Sequence, residues 1–297
     1  MALNLNSLRL FLAVATHRGF SRAARITGVS QPAISKAVRL LEQQAGAQLL
    51  IRAPSGVALT DAGTQLAEHA RALFAEERAA EERLESLRGL RSGVLRVGAS
   101  TTLADYFLPP ILGELYRAHP GLDLQLLSAN ARTVIGAVLE HGVELGLVEG
   151  PVHDGHLEVR PWREDELVVV VGPEHPLTRS RKVTGAQLME ELLLLREEGA
   201  GTRDVMFAAL RRRRWTPRRS FDVNSTEAIK GLVAAGVGWA LLSTRAVRDE
   251  VQVGRLRRLE VADFSLRRTL SWIRWNARRL GPAATAFRSL AEAFTFP

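Results

Sequence analysis

Residues 19–46 read GFSRAARITGVSQPAISKAVRLLEQQAG, and this stretch decides the architecture of the first sixty positions. Ser21 is positioned to cap a short helix carrying Ala23, Ala24 and Ile26. Gly28 allows a tight turn, and Ser30 and Pro32 open the next helix. Ile34, Val38, Leu41 and Ala45 recur at helical spacing and form its inner stripe. Upstream, Leu8, Phe11, Leu12 and Ala15 repeat the pattern in a first helix that Gly19 ends. Three short helices with a tight turn before the third make a helix-turn-helix, whose common use is to lay that helix in the major groove of DNA.

The outer face of the third helix carries Gln31, Pro32, Ser35, Lys36 and Arg39. Glutamine can read an adenine edge through two hydrogen bonds, and serine and lysine reach bases or phosphates. Since the N-terminal end of such a helix enters the groove, Gln31, Pro32 and Ser35 are the base readers to expect. Ser21, Arg22, Ser30, Lys36 and Arg39 complete the expected DNA-binding set, together with Arg52. Arg52 lies between two apolar runs, Gln48–Ile51 and Val57–Thr60, which read as a β-hairpin wing. Residues 1–60 hold seven Lys or Arg against one acid, Glu42, a charge of +6. Residues 61–90 carry −3 and the remainder +5, giving +8 in all. Positive charge gathered on a small unit is the footprint of phosphate-backbone binding, whereas a lone arginine would read as solvated surface.

From Thr60 to about Arg88 the chain reads as one helix of about 40 Å. Leu59, Leu66, Ala70, Leu73, Ala80, Leu84 and Leu87 keep a heptad seam that only Glu77 interrupts. A dimerising coiled coil is the sharp reading, and a helix lying on its own domain the other. Glu76, Glu77, Glu81, Glu82 and Glu85 favour an exposed rod.

Beyond Arg91-Ser92-Gly93 strands and helices alternate. Strands are expected at Val94–Gly98, Leu122–Leu127 and Leu145–Val148, with helices near Asp105–Ala118 and Arg132–His141 between them. A Val-rich strand, Glu166–Val171, precedes a second set: Leu192–Leu195, a helix from Thr202, Ser220–Val223, a helix from Thr226 to Ala235, and Gly238–Leu242. Leu266–Ile273 is a further strand and Pro282 starts a last helix, Ala283–Phe294. Two α/β halves with parallel strands imply a ligand cleft beyond the strand ends. Three helix starts face it: Ser100-Thr101-Thr102, Gly201-Thr202-Arg203 and Ser225-Thr226, where free N–H groups attract anions unless each hydroxyl only caps its own helix.

Composition narrows the alternatives. At 46% hydrophobic and 24% charged the chain reads as an ordinary globular protein of two or three domains. No run is long and apolar enough to cross a membrane, and MALNLNSLRL lacks the features of a secretory leader, so a cytoplasmic protein without membrane partners is expected. With no cysteine there is no disulfide, no thiolate nucleophile and no Cys-based zinc site. Gly199-Ala-Gly201 and Gly236-Val-Gly238 fail the dinucleotide fingerprint, because Asp204 and Leu241 stand at the third glycine. His153-Asp154-Gly155-His156 reads as a polar loop rather than a metal site. Arg211–Arg214 with Arg218 and Arg219 reads as a solvated helix end or a contact for DNA or a partner subunit. No catalytic residue, metal or cofactor is expected.

FLAVATHRGFSRAARITGVSQPAISKAVRLLEQQAG at 11–46, LTDAG at 59–63 and GVLRVGAS at 93–100 resemble the LysR-type transcriptional regulators over nearly the full length. The resemblance implies an α+β and α/β multidomain chain. Its parts are a winged helix-turn-helix (1–60), a linker and dimerisation helix (61–90), and a two-lobed effector domain (91–297) like periplasmic binding proteins. Lobe I would span about 91–162 and 266–297, and lobe II about 163–265. It implies a homodimer through the linker helix, a homotetramer built as a dimer of dimers, and RNA polymerase as a further partner. GASTTLADYFLPPILGELYRAHPG and LREEGAGTRD look similar to the branch that regulates carbon fixation and sulfur assimilation. Carrying the family's pocket over gives Ser100, Thr101, Thr102, Asn130, Glu149, Thr202 and Thr226, beside which stands Arg203. The small-molecule effector would be a metabolite, with anions among the candidates, which Glu149 would repel unless paired. The rival reading is a small-molecule binding protein or enzyme on the α/β lobes, with the N-terminal part an interaction module. Steep salt dependence of duplex binding separates the two.

Overall fold

The computed structural model describes residues 3–53, 56–86, 93–262, 264–276 and 279–296. The chain divides into two compact units, Met1–Glu81 and Glu82–Pro297.

The first unit opens with α1 (Leu5–His17), α2 (Phe20–Thr27) and α3 (Gln31–Ala45). Asn4 caps α1, its side chain accepting from Ser7 N at 3.0 Å. Arg18, not Gly19, takes the left-handed position that ends α1, at φ 51°. Gly19 instead lies at the N-cap of α2, so Ser21 falls inside the helix rather than capping it. Ser30 stands at the N-cap of α3, but its side chain makes no capping bond. Leu8, Phe11, Val14, Ala23, Ile34, Val38 and Leu41 fill the core, whereas Ile26 is 63% exposed and Ala45 lies on the surface.

The wing is β1 (Leu50–Ala53) paired antiparallel with β2 (Gly56–Leu59). Its tip, Pro54 and Ser55, and the side chain of Arg52 lie outside the described residues. Two contacts seat the wing. Glu42, the one acid among residues 1–60, accepts from Leu49 N at 2.9 Å and Leu50 N at 3.2 Å. At the other side Val57 N donates to Arg18 O at 3.1 Å. Gly56 sits there at φ +119°, where a Cβ would come within 2.4 Å of that oxygen.

Thr60 opens α4 (Asp61–Ser86), accepting from Gly63 N at 2.9 Å and donating to Gln48 O at 2.7 Å. The first half of α4 lies on its own domain: Ala67, Ala70 and Phe74 are buried with the core of α1–α3. That corrects the heptad reading in part, since Ala70 serves the domain rather than a seam. Glu77, which interrupts the seam, is ion-paired with Arg9 at 2.6 Å, and the Arg9 guanidinium covers Phe74. Leu73 and Leu84 remain exposed at 41% and 67%; Leu87 lies outside the described residues.

The second unit begins with β3 (Gly93–Ser100), α5 (Thr101–Tyr106), α6 (Leu108–Ala118), β4 (Leu122–Ala129), α7 (Ala131–Leu139), β5 (Leu145–Glu149) and β6 (Leu157–Val171). It continues with α8 (Gly185–Glu190), β7 (Leu192–Arg196), α9 (Gly201–Arg212), β8 (Arg219–Val223), α10 (Thr226–Ala234) and β9 (Trp239–Ser243). It closes with α11 (Thr244–Gln252), β10 (Arg257–Leu259), β11 (Leu266–Trp275) and α12 (Pro282–Ala293). The helix expected at Asp105–Ala118 is two helices. They break at Phe107, because Pro109 and Pro110 cannot donate within a continuing helix. The helices α8 and α11 and strand β10 add to the elements expected; α11 is strongly amphipathic and buries Ala246 and Val247.

The strands form one hydrogen-bonded sheet in the order β4-β3-β5-β11-β6-β9-β7-β8, with β10 on β6. Each half repeats one plan. β3 is parallel to β4 and β5 on its two sides, and β7 is parallel to β8 and β9. The long antiparallel pair β6 and β11 joins the halves, with an irregularity between Leu270 and Ser271. β6 starts at Leu157, well before the Glu166 expected, because Pro161 masks the strand pattern at that irregularity. Apolar layers fill both sides: Leu103, Ile111 and Phe287 in the first half, Leu188, Met206 and Trp239 in the second.

Candidate DNA-reading face and interlobe cleft

In the first unit the apolar stripe of α3 faces α1 and α2, so helix periodicity turns its other side out. Gln31, Pro32, Lys36 and Arg39 are exposed and Ser35 half-buried. Ser21 and Arg22 of α2 and Ser30 of the turn are exposed beside them. Ser21 Oγ donates to Gln31 Oε1 at 2.9 Å, which leaves the Gln31 amide N–H groups turned to solvent bonds. None of Arg22, Arg25, Lys36 and Arg39 meets a carboxylate among the described residues. A cationic surface without acids is free to neutralise phosphates.

In the second unit two hydrogen-bond networks link the halves at the carboxyl ends of the strands. In the first, Ser100 at the end of β3 donates to Glu149 at the end of β5. Thr202 in the first turn of α9 donates to the same carboxylate at 3.2 Å. Arg268 of β11 donates from Nη1 to Thr202 at 2.6 Å and from Nε to Asp165 at 2.7 Å. Ser243 holds the other Asp165 oxygen at 2.7 Å. Glu149 and Arg268 are 3.5 Å apart and both buried, so the carboxylate is paired and each charge is offset. In the second network Arg196, closing β7, donates to Thr101 at 2.7 Å and Thr226 at 3.1 Å, and grips Glu197 through two nitrogens.

Ser100, Glu149 and Thr202 therefore meet in one network, and Thr101 and Thr226 in the other. Thr102 is buried but joins neither. Asn130 caps its own helix α7, accepting from Thr133 N at 3.0 Å. Arg203 is turned to β8, donating to Asp222 at 2.8 Å and to Arg196 O at 2.7 Å. Ser225 also caps its own helix, accepting from Ala228 N at 3.3 Å. Sequence reading missed Arg196, Arg268, Asp165 and Ser243. The signal for Arg196 was a charge ending the apolar run Leu192–Leu195. The signal for Arg268 was a charge on the inward face of its strand, in line with Leu266, Leu270 and Trp272.

A third contact between the halves lies at the rim. The Tyr106 hydroxyl donates to Glu227, which pairs with Lys230 at 2.7 Å; Lys230 also meets Glu250 at 3.0 Å. Burial and the Glu227 charge push the Tyr106 phenol up. Burial would raise Glu227 as well, but the bonds from Lys230 and Tyr106 outweigh it and hold the carboxyl below its usual value. Asp105 is pushed up, by burial first and then by Glu227.

The remaining sequence signals resolve locally. Asp154 accepts from His156 N at 2.8 Å, and the His156 ring stacks on Trp275 at 5.3 Å. Among the described residues no group of three or more His, Asp or Glu is placed to hold a metal. Arg211 and Arg212 donate to the carbonyls of Phe207 and Ala208 in the last turn of α9.

The family described as the LysR substrate binding domain matches residues 88–295, and the bacterial regulatory helix-turn-helix of the lysR family matches residues 5–64. The RuBisCO operon transcriptional regulator of Allochromatium vinosum is 36% identical over 295 residues, covering 99% of this chain and 97% of its own. The regulatory domain of CcmR from Synechocystis PCC6803, solved in complex with 2-PG, is 27% identical with a TM-score of 0.63. It covers 68% of this chain and 97% of that one. Full-length CbnR, solved with its target DNA, is 21% identical at a TM-score of 0.66 over 97% of this chain and 98% of its own. The helix-turn-helix with its wing, the pair of α/β halves and these matches agree: the chain belongs to the LysR family, the ligand-responsive transcriptional regulators that bind DNA.

Proposed function

We propose that residues 1–60 read an operator through Gln31, Pro32 and Ser35, with Ser21, Arg22, Ser30, Lys36, Arg39 and Arg52 positioning the unit on phosphates. The observation that carries this reading is the outer side of α3, exposed and flanked by four cations that meet no carboxylate among the described residues. Residues 61–90 serve as the dimer helix, supported by the exposed Leu73 and Leu84. A further interface completes a tetramer; the outer strands β4 and β8 carry exposed Leu126 and Phe221, as unpaired sheet edges seeking cover do. Fluorescence anisotropy on a palindromic duplex at rising salt tests the DNA reading. Log affinity should fall steeply with log salt, about 0.9 per phosphate neutralised. Binding that ignores salt, or no duplex binding at low ionic strength, overturns it.

The effector domain (91–297) takes its ligand between lobe I (91–162 and 266–297) and lobe II (163–265), at Ser100, Thr101, Thr102, Glu149, Thr202 and Thr226. Asn130 and Arg203 flank that seat without joining it. Networks that cross between the halves support this: a ligand bound there changes how the lobes sit, and with them the spacing of the DNA-binding units. It does so only by favouring one arrangement over another. The protein works in the cytoplasm beside RNA polymerase, as a regulator rather than an enzyme. A thermal-shift screen of metabolites identifies the ligand, since binding to the native state raises its melting temperature.

A further inference from the structure

We propose that Glu149 is a built-in tenant of the effector seat, a carboxylate that holds the two lobes together until a small carboxylate- or phosphate-bearing ligand displaces it. This rests on the reading of the cleft as the effector site. Glu149 is 3% exposed and belongs to the first half, yet one of its donors, Thr202, belongs to the second. A buried carboxylate persists only if several donors surround it. Each donor it uses is one an incoming anion would want. Ser100 occupies the N-cap of α5 without capping it, because its hydroxyl is committed to Glu149. Thr202 lies in the first turn of α9, where backbone N–H groups already favour negative charge.

Arg268 supplies the observation that points to a ligand rather than to a finished structural bridge. Its side chain is 1% exposed, with Nε given to Asp165 and Nη1 to Thr202. Its Nη2 is buried with no hydrogen-bond partner among the described residues. A guanidinium binds carboxylate or phosphate through two nitrogens, so a spare one beside an occupied one marks a half-filled anion seat. The seat is also shut. A Cβ on Gly201 would stand 2.0 Å from Glu149 O, and Gly150, at φ +87°, lies against Gly201. The end of β5 and the start of α9 thus meet backbone to backbone, and a ligand enters only by parting them. An anion that takes Ser100, Thr202 and both Arg268 Nη groups replaces each bond Glu149 gives up.

The chain has no cysteine, so a pair of spin labels at Glu114→Cys and Asp249→Cys, one on each lobe, reports their separation in the full protein. Glu149→Gln keeps the side chain's size but points an amide donor at donors. It should lengthen or broaden the distance distribution without ligand, and so should Thr202→Val, which cuts the same link from the other lobe. In calorimetric titrations with inorganic phosphate, Glu149→Gln should bind about tenfold more tightly than the parent, having lost the competing charge. Unchanged distances in both variants overturn the proposal, as does Glu149→Gln failing to bind phosphate at all. Weaker phosphate binding by Glu149→Gln makes Glu149 a reader of the ligand, keeping the cleft reading while overturning the tenant. Phosphate binding indifferent to both substitutions lies elsewhere and fails the cleft reading itself.

Discussion

Single side chains decide both what the first unit reads and whether it folds. The Gln31 carbonyl oxygen accepts from Ser21, so on the proposed reading it is the amide N–H groups that meet an acceptor on a base edge. Gln31→Ala should cost about 1–3 kcal/mol on the cognate operator and little on random duplex, as competition binding would show. Lys36→Ala should instead weaken both alike and flatten the salt slope by about one. Glycines divide on a similar principle. Gly63 in α4 stands against the chain at Leu49, and a Cβ would fall 2.0 Å from Leu49 O. Gly136 in α7 has open space there. Gly63→Ala should therefore destabilise by about 1–3 kcal/mol, because a backbone oxygen cannot yield. Gly136→Ala should stabilise by up to about 1 kcal/mol from helix propensity. Thermal unfolding of the two variants separates these signs.

Among the elements, α4 is packed on its own domain over one part of its length and exposed over another. Its early turns bury Ala67, Ala70 and Phe74 in the DNA-binding domain, and its later turns present Leu84 to solvent. A substitution in each half should therefore act differently. Phe74→Ala should lower the stability of the first unit by about 3–5 kcal/mol through the cavity it leaves. Leu84→Glu should weaken self-association in sedimentation equilibrium without opening a cavity in the first unit. An unchanged association constant would remove α4 as the dimer helix. Seven-residue spacing alone could not separate these parts, because a helix lying on its own domain and a coiled coil both bury residues three and four apart.

At the scale of the whole effector domain, the rim contact makes stability sensitive to acid. The folded value of Glu227 is lowered, so its stabilisation is complete above the ordinary value of 4.5 and is lost as the pH falls through the folded value. Asp105 works the other way: its value is raised, so the fold is penalised as the pH climbs from 3.8 through the folded value. Tyr106→Phe removes a donor from Glu227 without touching Lys230. It should let the Glu227 value rise, move the acid limb of stability to higher pH, and cost about 1 kcal/mol at neutral pH, since Glu227 is exposed. Melting curves measured down the acid range for both proteins give the difference directly; coincident acid limbs would remove the contact.

Most of the order of elements was written in the chain. Periodic apolar residues, with Gly28 at the turn and Pro32 opening α3, mark the three helices, and the alternation of strands and helices marks the α/β halves, because local patterning sets local structure. The outward side of α3 followed from the same arithmetic, since burying one stripe exposes the other. Tertiary structure alone decided the rest. It made Pro161 part of a long crossing strand, sent Asn130 and Arg203 to local duties, and brought Arg196 and Arg268 to the cleft. It also paired Glu149 with residues 49 and 53 positions away. Such meetings depend on how strands 100 residues apart pair across a sheet, and no spacing along the chain encodes the partner.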